Sequence, residues 1–292
     1  MGIGLNSHCV DCLMGRYLKA AREHGDAQTA YEFSKGVMQL FLEAEPDANS
    51  SRLGARITRL AKEFYNLPED QYLAEKETSN RFVLERLDSI RQQVRQSDDP
   101  VLTALQYAIL GNYIDFSALG KSVSFERLEQ MLLHPENFAF DPAYYPTFCQ
   151  DMDKAKNLLY VTDNAGEIGF DWVLADELMR RWPQLKITFC VRGMPIYNDA
   201  TRQDYDFMGI PYPVIENGSN IAGTDPKYVN QETLDALGNA DVILSKGMGN
   251  TETLYGSGYP IYFAFLVKCK RIEEVFGKPH MTPMFVKEPE GV

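Results

Sequence analysis

The chain has little of what would tie it to a polyanion or a membrane. Against 41 Asp and Glu it carries only 29 Lys and Arg, a formal net charge of −12, and its pI is about 4.9. No stretch concentrates the basic residues. A field of that sign repels nucleic acid and anionic lipid, so neither is an expected partner. It repels a phosphorylated substrate as well, so any phosphate site needs cations placed locally. No apolar run reaches the roughly 18 residues that a bilayer demands, and the start lacks the apolar core of a secretory signal. The five cysteines (Cys9, Cys12, Cys149, Cys190 and Cys269) are odd in number and mostly isolated in apolar sequence. That pattern argues against a disulfide framework and for a reducing, cytoplasmic compartment. Internal repeats and low-complexity segments are also missing.

What is present is an ordinary globular balance over 292 residues, 45% hydrophobic and 24% charged. The length suggests two domains, or one with an extra lobe. The two halves read differently. Ala27 to Leu42 and Ala74 to Arg95 repeat apolar residues every three or four positions (Ala30, Phe33 and Val37; Val83, Leu87, Ile90 and Val94), and Val101 to Leu110 continues the pattern. Such spacing predicts amphipathic helices. From residue 157 short apolar runs take over, at Leu158–Val161, Lys186–Val191, Tyr212–Ile215, Asp241–Leu244 and Ile261–Val267. Helical stretches, Phe170–Arg181, Thr201–Met208 and Gln231–Leu237, separate several of them. Alternating strands and helices predict a parallel sheet covered on both faces. Pro142 and Pro146 interrupt the pattern between Asp141 and Asp153, so we divide the chain into a helical part, residues 1–140, and an α/β part, residues 141–292. Lys287 to Val292 reads as a polar tail.

Open parallel sheets bind ligands beyond the carboxyl ends of their strands. The first run is followed by Asp163, Asn164, Ala165, Gly166 and Glu167. The second is followed by Arg192 and Gly193, then Asn198 and Asp199. The fourth is followed by Ser245, Lys246, Gly247, Met248, Gly249, Asn250 and Glu252. Each segment alone is also an ordinary cap or turn. Together they gather polar groups where the fold converges. Asp163, Asn164 and Asp199 offer hard oxygen ligands suited to Mg²⁺ or Mn²⁺. Lys246 can balance phosphate charge, and Gly247 and Gly249 let backbone N–H groups approach an anion.

These stretches resemble the DUF89 family of metal-dependent damage-control phosphatases, also called the ARMT1-like family. In the helical half, Gly111-Asn112-Tyr113-Ile114-Asp115-Phe116 matches as well, as do Lys76 and Asn80. Cys9-Val10-Asp11-Cys12 resembles the start of the prokaryotic CxxC-containing branch. The resemblance spans nearly the whole chain. It implies a three-layer α/β/α Rossmann-like parallel sheet with an N-terminal helical domain over the active-site edge. It also implies hydrolysis of small phosphate esters, sugar phosphates or damaged phosphometabolites, with a divalent cation (Mn²⁺, Co²⁺, Ni²⁺ or Mg²⁺). Carried over, Asp163, Asn164 and Asp199 are the metal ligands and Lys246 meets the phosphate. Asn112 and Asp115 reach in from the helical domain, Glu167 lies close by, and Arg192, Gly247, Gly249, Asn250, Lys76 and Asn80 contact substrate.

Two chemical routes suit these residues. A cation can activate water while Glu167 or Asp115 moves a proton. Alternatively, Asp163 can attack phosphorus itself; holding the metal leaves it few lone pairs for that, which favours water. A carboxyl methyltransferase and a non-catalytic phosphometabolite-binding protein are the rival readings. A dinucleotide cofactor is disfavoured, because the first strand ends in carboxylates and not in G-x-G-x-x-G. Cys9 and Cys12 form a single pair, short of the four ligands of a structural zinc site. Their role, whether metal-binding, redox or incidental, stays open.

Overall fold

The computed structural model describes residues 2–119 and 123–289. The helical periods of the first half become α1 (Ser7–His24), α2 (Ala27–Leu42), α3 (Ser50–Tyr65), α4 (Leu73–Leu84), α5 (Leu87–Gln96), α6 (Pro100–Gly111), the single turn α7 (Phe116–Leu119), α8 (Phe125–Leu133) and α9 (Tyr145–Lys154). Asn6, Asp26, Asn49, Asp99 and Ser124 cap α1, α2, α3, α6 and α8 with side-chain oxygens bonded to backbone N–H groups. The single helix expected from Ala74 to Arg95 is two, α4 and α5. The Arg86 guanidinium bonds back to the Phe82 carbonyl at the joint, 2.9 Å away. Val83, Leu87, Ile90 and Val94 nevertheless stay on one buried face.

The second half alternates as the pattern predicts: β1 (Asn157–Val161), α10 (Glu167–Arg181), β2 (Lys186–Val191), α11 (Arg202–Met208), β3 (Val214–Glu216), α12 (Gln231–Asn239), β4 (Val242–Lys246), α13 (Gly247–Leu254), β5 (Ile261–Leu266), α14 (Lys270–Phe276) and β6 (Pro283–Lys287). The sheet order is β3-β2-β1-β4-β5-β6. All neighbours run parallel except β5 and β6. Four elements were not foreseen: α9, which lies in the proline-interrupted junction, α13, α14 and the antiparallel edge strand β6. Lys287 closes β6, and Glu288 is buried and accepts the Gly258 N–H, so these two residues of the expected polar tail are structured; residues 290–292 lie outside the described residues.

Successive strand residues feed opposite faces, the period-two rule of a strand. Leu158, Tyr160, Phe189, Leu244, Tyr262 and Phe285 pack with α5, α6, α8 and α10 in one core. Leu159, Val161, Cys190, Ile243, Phe263 and Met284 pack with Leu237, Leu254 and Ile272 of α12, α13 and α14 in a second. The result is a three-layer α/β/α sandwich with a helical region attached. The first core runs across residue 140, because α6 lies against both α10 and the sheet. A third, smaller core joins α1, α2 and α3 around Phe33, Val37, Leu53 and Ile57.

Candidate active site

The strand order reverses between β1 and β4, and a doubly wound sheet opens its ligand crevice at that point. Asp163 follows β1 there. The extension past β2 folds back beside it: Ala200 N–H donates to the Asp163 carbonyl (2.7 Å), and Ala165 N–H donates to the Asn198 carbonyl (2.9 Å). Asn164 and Asp199 thus form an isolated bridge, and both sit with Asp163 at the wall of one cleft of about 580 Å³. Gly247 starts α13 with φ +78°; a Cβ there would lie 2.0 Å from Asp163 Oδ2. Only glycine lets the amino end of α13, with its unpaired N–H groups and positive dipole end, come against that carboxylate.

Around this point the charges form one network. Asp163 Oδ2 accepts from Asn112 Nδ2 (2.9 Å) and Asn164 Nδ2 (2.8 Å). The same two amides donate to Glu167, and Asn198 Nδ2 donates to Asn164 Oδ1 at 3.0 Å. Arg192 Nε donates to Asp199 Oδ2 at 2.7 Å, while its NH2, buried and without a hydrogen-bond partner, lies 3.6 Å from Asp163 Oδ1. Beneath, Lys246 Nζ donates to Glu167 and to the Ala108 carbonyl (2.7 Å) and forms an ion pair with Asp171 (3.1 Å). Lys268 Nζ donates to Asp115 and to the Asn112 carbonyl (2.8 Å). Among the described residues, five buried carboxylates (Asp115, Asp163, Glu167, Asp171 and Asp199) therefore meet three buried cations (Arg192, Lys246 and Lys268).

The imbalance is visible in the protonation equilibria. Burial, with Asp199 and Glu167 as neighbouring charges, holds the Asp163 carboxyl well above the usual carboxylate range. Burial pushes Asp199 up to about 6 against the opposing pull of Arg192, and pushes Asp171 up to about 7 against that of Lys246. Two like charges in a dry cleft each favour the neutral form unless a cation arrives.

Of the residues singled out in the sequence, Asp115, Asp163, Asn164, Asp199 and Gly249 line the cleft. Others lie behind it. Lys246 is fully buried, with its ammonium paired to Glu167 and Asp171 and bonded to the Ala108 carbonyl. Arg192 bonds Asp199, and Glu167 accepts from Asn112 and Asn164. Asn250 ties the Thr162 and Lys246 carbonyls at 2.8 and 2.6 Å. Lys76 and Asn80, expected at the substrate, instead anchor α4. Lys76 pairs with Asp204 (2.7 Å) and Asp70 (2.9 Å), and Asn80 bonds Asp204 and the Gly166 N–H. Asp204 in turn closes the capping box of Thr201, so α4 fixes the loops carrying both Asp163 and Asp199.

Lys268 is the residue missed. It stands just past β5, where the strand-end rule applies as it does after β1, β2 and β4. Arg16, Cys9, Cys12, Glu252 and Cys269 also line the cleft. The Cys9 and Cys269 thiols are raised by burial, Cys269 to about 12, which makes both poor nucleophiles.

The profile of the damage-control phosphatase ARMT1-like domain matches residues 5–282. The chain belongs to this family. A damage-control phosphatase of Archaeoglobus fulgidus is 31% identical to it over 282 residues, 92% of this chain and 94% of that protein. A damage-control phosphatase of Pyrococcus horikoshii is 30% identical over 207 residues, 70% of each. The crystal structure of a DUF89 family protein from Pyrococcus horikoshii superposes with a TM-score of 0.84 at 25% identity, covering 98% of this chain and 99% of that one. Among the relatives of this ARMT1-like chain, two carry phosphatase names, which supports a phosphatase role in general. No helix of the described residues is long and apolar enough to cross a membrane.

Proposed function

We propose that the protein is a divalent-cation-dependent phosphomonoesterase acting on small phosphorylated metabolites. One observation carries the reading: among the described residues the network at the switch point holds five buried carboxylates against three buried cations, two positive charges fewer. A divalent cation is the simplest group that closes that gap. Asp163, Asp199 and the amide oxygen of Asn164 would hold that cation; they are hard oxygen donors, the set that suits Mn²⁺, Co²⁺, Ni²⁺ or Mg²⁺ in water-rich sites. Among the described residues no three His, Cys, Asp or Glu side chains are grouped to hold a metal. When bound, the cation supplies positive charge to the phosphoryl oxygens and lowers the pKa of water.

The chain's own groups do the rest. Lys268 lines the cleft and presents an ammonium steadied by Asp115 and the Asn112 carbonyl, so it takes the phosphate-facing role first read for Lys246. The amino end of α13 adds N–H groups beside Asp163, with Gly249 at the cleft wall. Asp115 is placed to move a proton, since it lines the cleft, whereas Glu167 is fully occupied by Lys246, Asn112 and Asn164. Both Asp163 oxygens face donors, Asn112 and Asn164 on one side and Arg192 on the other, which favours attack by water over attack by Asp163. The helices before residue 140 act as the cap, through Asp115 and the α1 face that lines the cleft. A cap of this kind excludes water and strengthens every charge contact inside.

Hydrolysis of p-nitrophenyl phosphate by the purified chain tests the reading. We expect turnover with at least one of Mn²⁺, Co²⁺, Ni²⁺ or Mg²⁺ and its loss with excess EDTA. No turnover with any of the four, or turnover indifferent to EDTA, would overturn it.

A further inference from the structure

The cleft is far larger than a phosphoryl group needs. At about 580 Å³ it falls in the range of sites that enclose a whole small ligand. Its cations differ in one respect. Lys268 pairs with Asp115, Lys270 with Glu273, and Arg271 with Glu274. Arg16 lines the same cleft, yet among the described residues no carboxylate stands within ion-pair distance of it. In a chain with 41 acidic against 29 basic residues, a carboxylate partner inside the molecule was readily available. The desolvation of this partly buried guanidinium is therefore offset by the Tyr197 ring and by Asp115 at longer range, not by a paired carboxylate.

The guanidinium is nevertheless held in place. It lies over the Tyr197 ring, 5.3 Å from the centroid, a cation–π contact that directs its donors without consuming them. Tyr197 is itself fixed: its hydroxyl bonds Tyr17 at 2.8 Å, and a Cβ on Gly54 would fall 2.5 Å from it. Tyr197 adopts φ +47°, a left-handed conformation unusual for a bulky residue and common at functional sites. Asn198 and Asp199 follow it directly in the chain. The platform under Arg16 and the carboxylate end of the cleft are therefore set by one short segment.

We propose that Arg16 is a specificity residue that receives a second anionic group of the substrate, so that the preferred substrates are phosphomonoesters bearing a carboxylate or a further phosphate at the end remote from the scissile bond. This rests on the phosphatase reading for the identity of the first group. A planar fork of donors suits either anion bidentately.

Three non-hydrolysable probes test it by calorimetry on the full chain loaded with Mn²⁺: the methylenephosphonate analogues of glycerol 3-phosphate, 3-phosphoglycerate and glycerol 1,3-bisphosphate. The first two differ only by a carboxylate in place of a hydroxymethyl group. The wild type is expected to bind at least one of the two doubly anionic probes about 10- to 100-fold more tightly than the first, the worth of a charge-assisted contact. Whichever of the two gains more identifies the second anion. Arg16→Gln is expected to erase the preference and Arg16→Lys to keep part of it. Equal binding of all three probes by the wild type, or a preference that survives in Arg16→Gln, overturns the proposal. Turnover of p-nitrophenyl phosphate is read separately: its absence beside an Arg16-dependent preference would sink the phosphatase reading and leave the anion site standing.

Discussion

At the scale of single residues, two lysines at strand ends carry opposite assignments, and substitution separates them. Lys246 neutralises Glu167 and Asp171 in a fully buried setting. Lys246→Met leaves two buried carboxylates without their cation, and breaking such a pair costs about 3–5 kcal/mol; urea unfolding of the variant should show that loss. Lys268→Gln should instead lower kcat/KM for p-nitrophenyl phosphate by roughly 10- to 150-fold, the equivalent of about 1.5–3 kcal/mol in a charge-assisted contact. A stable Lys246→Met protein with a selective defect in kcat/KM would restore the first reading of that residue. The strand-end rule found Asp163, Asn164, Asp199 and Lys246, because carboxylates, amides and lysine after apolar runs are visible in one dimension. Their order in depth was not. Which of two lysines faces the cleft depends on whether a carboxylate such as Asp171, eleven residues along from Tyr160 in α10, waits behind it.

At the scale of elements, the reading succeeded where an apolar run was bounded by polar residues and failed where the boundary was glycine. Gly247-Met248-Gly249 reads as a turn, because glycine is a poor helix former. The structure begins α13 there, since Gly247 must take a positive φ against Asp163 and only then can the helix start. Edge strand β6 opens with Pro283 and pairs on one side only, so it lacks the long apolar run of its parallel neighbours. Gly247→Ala tests this junction. The left-handed backbone alone costs about 1–2 kcal/mol, and the new Cβ displaces the Asp163 carboxylate. We expect lower stability in urea and weaker Mn²⁺ binding; a variant unchanged in both would contradict the packing described. Asn80→Ala tests the α4 anchor. It strips the partner from the buried Gly166 N–H, a loss of about 1–3 kcal/mol, and loosens the loop carrying Asp163 without touching the cleft. Its kcat should fall together with its stability, as followed by rates and thermal melts. A rise in KM alone, with kcat and stability unchanged, would instead point to a substrate contact.

At the scale of the whole molecule, a chain of net charge −12 carries a centre whose described residues put five buried carboxylates against three buried cations, so cation binding and folding are linked. A cation that binds the native state and not the unfolded chain raises stability by RT ln(1 + [L]/Kd), about 2.7 kcal/mol at a hundredfold excess over Kd. The fold class and the convergence of three strand ends were legible in the sequence because period and punctuation are local. The buried charge balance was legible only in the assembled network. The balance also governs the choice of variant. Asp199→Ala would strand Arg192, which bonds Asp199 at 2.7 Å, whereas Asp199→Asn keeps an acceptor and the side-chain volume. The most direct measurement is therefore the melting temperature of the wild type and of Asp199→Asn as Mn²⁺ is titrated in and then removed with EDTA. The account predicts a rise of several degrees in the wild type that saturates with Mn²⁺, reverses with EDTA and is largely lost in Asp199→Asn. An equal rise in both proteins, or none in the wild type, would contradict a cation held by Asp163, Asn164 and Asp199.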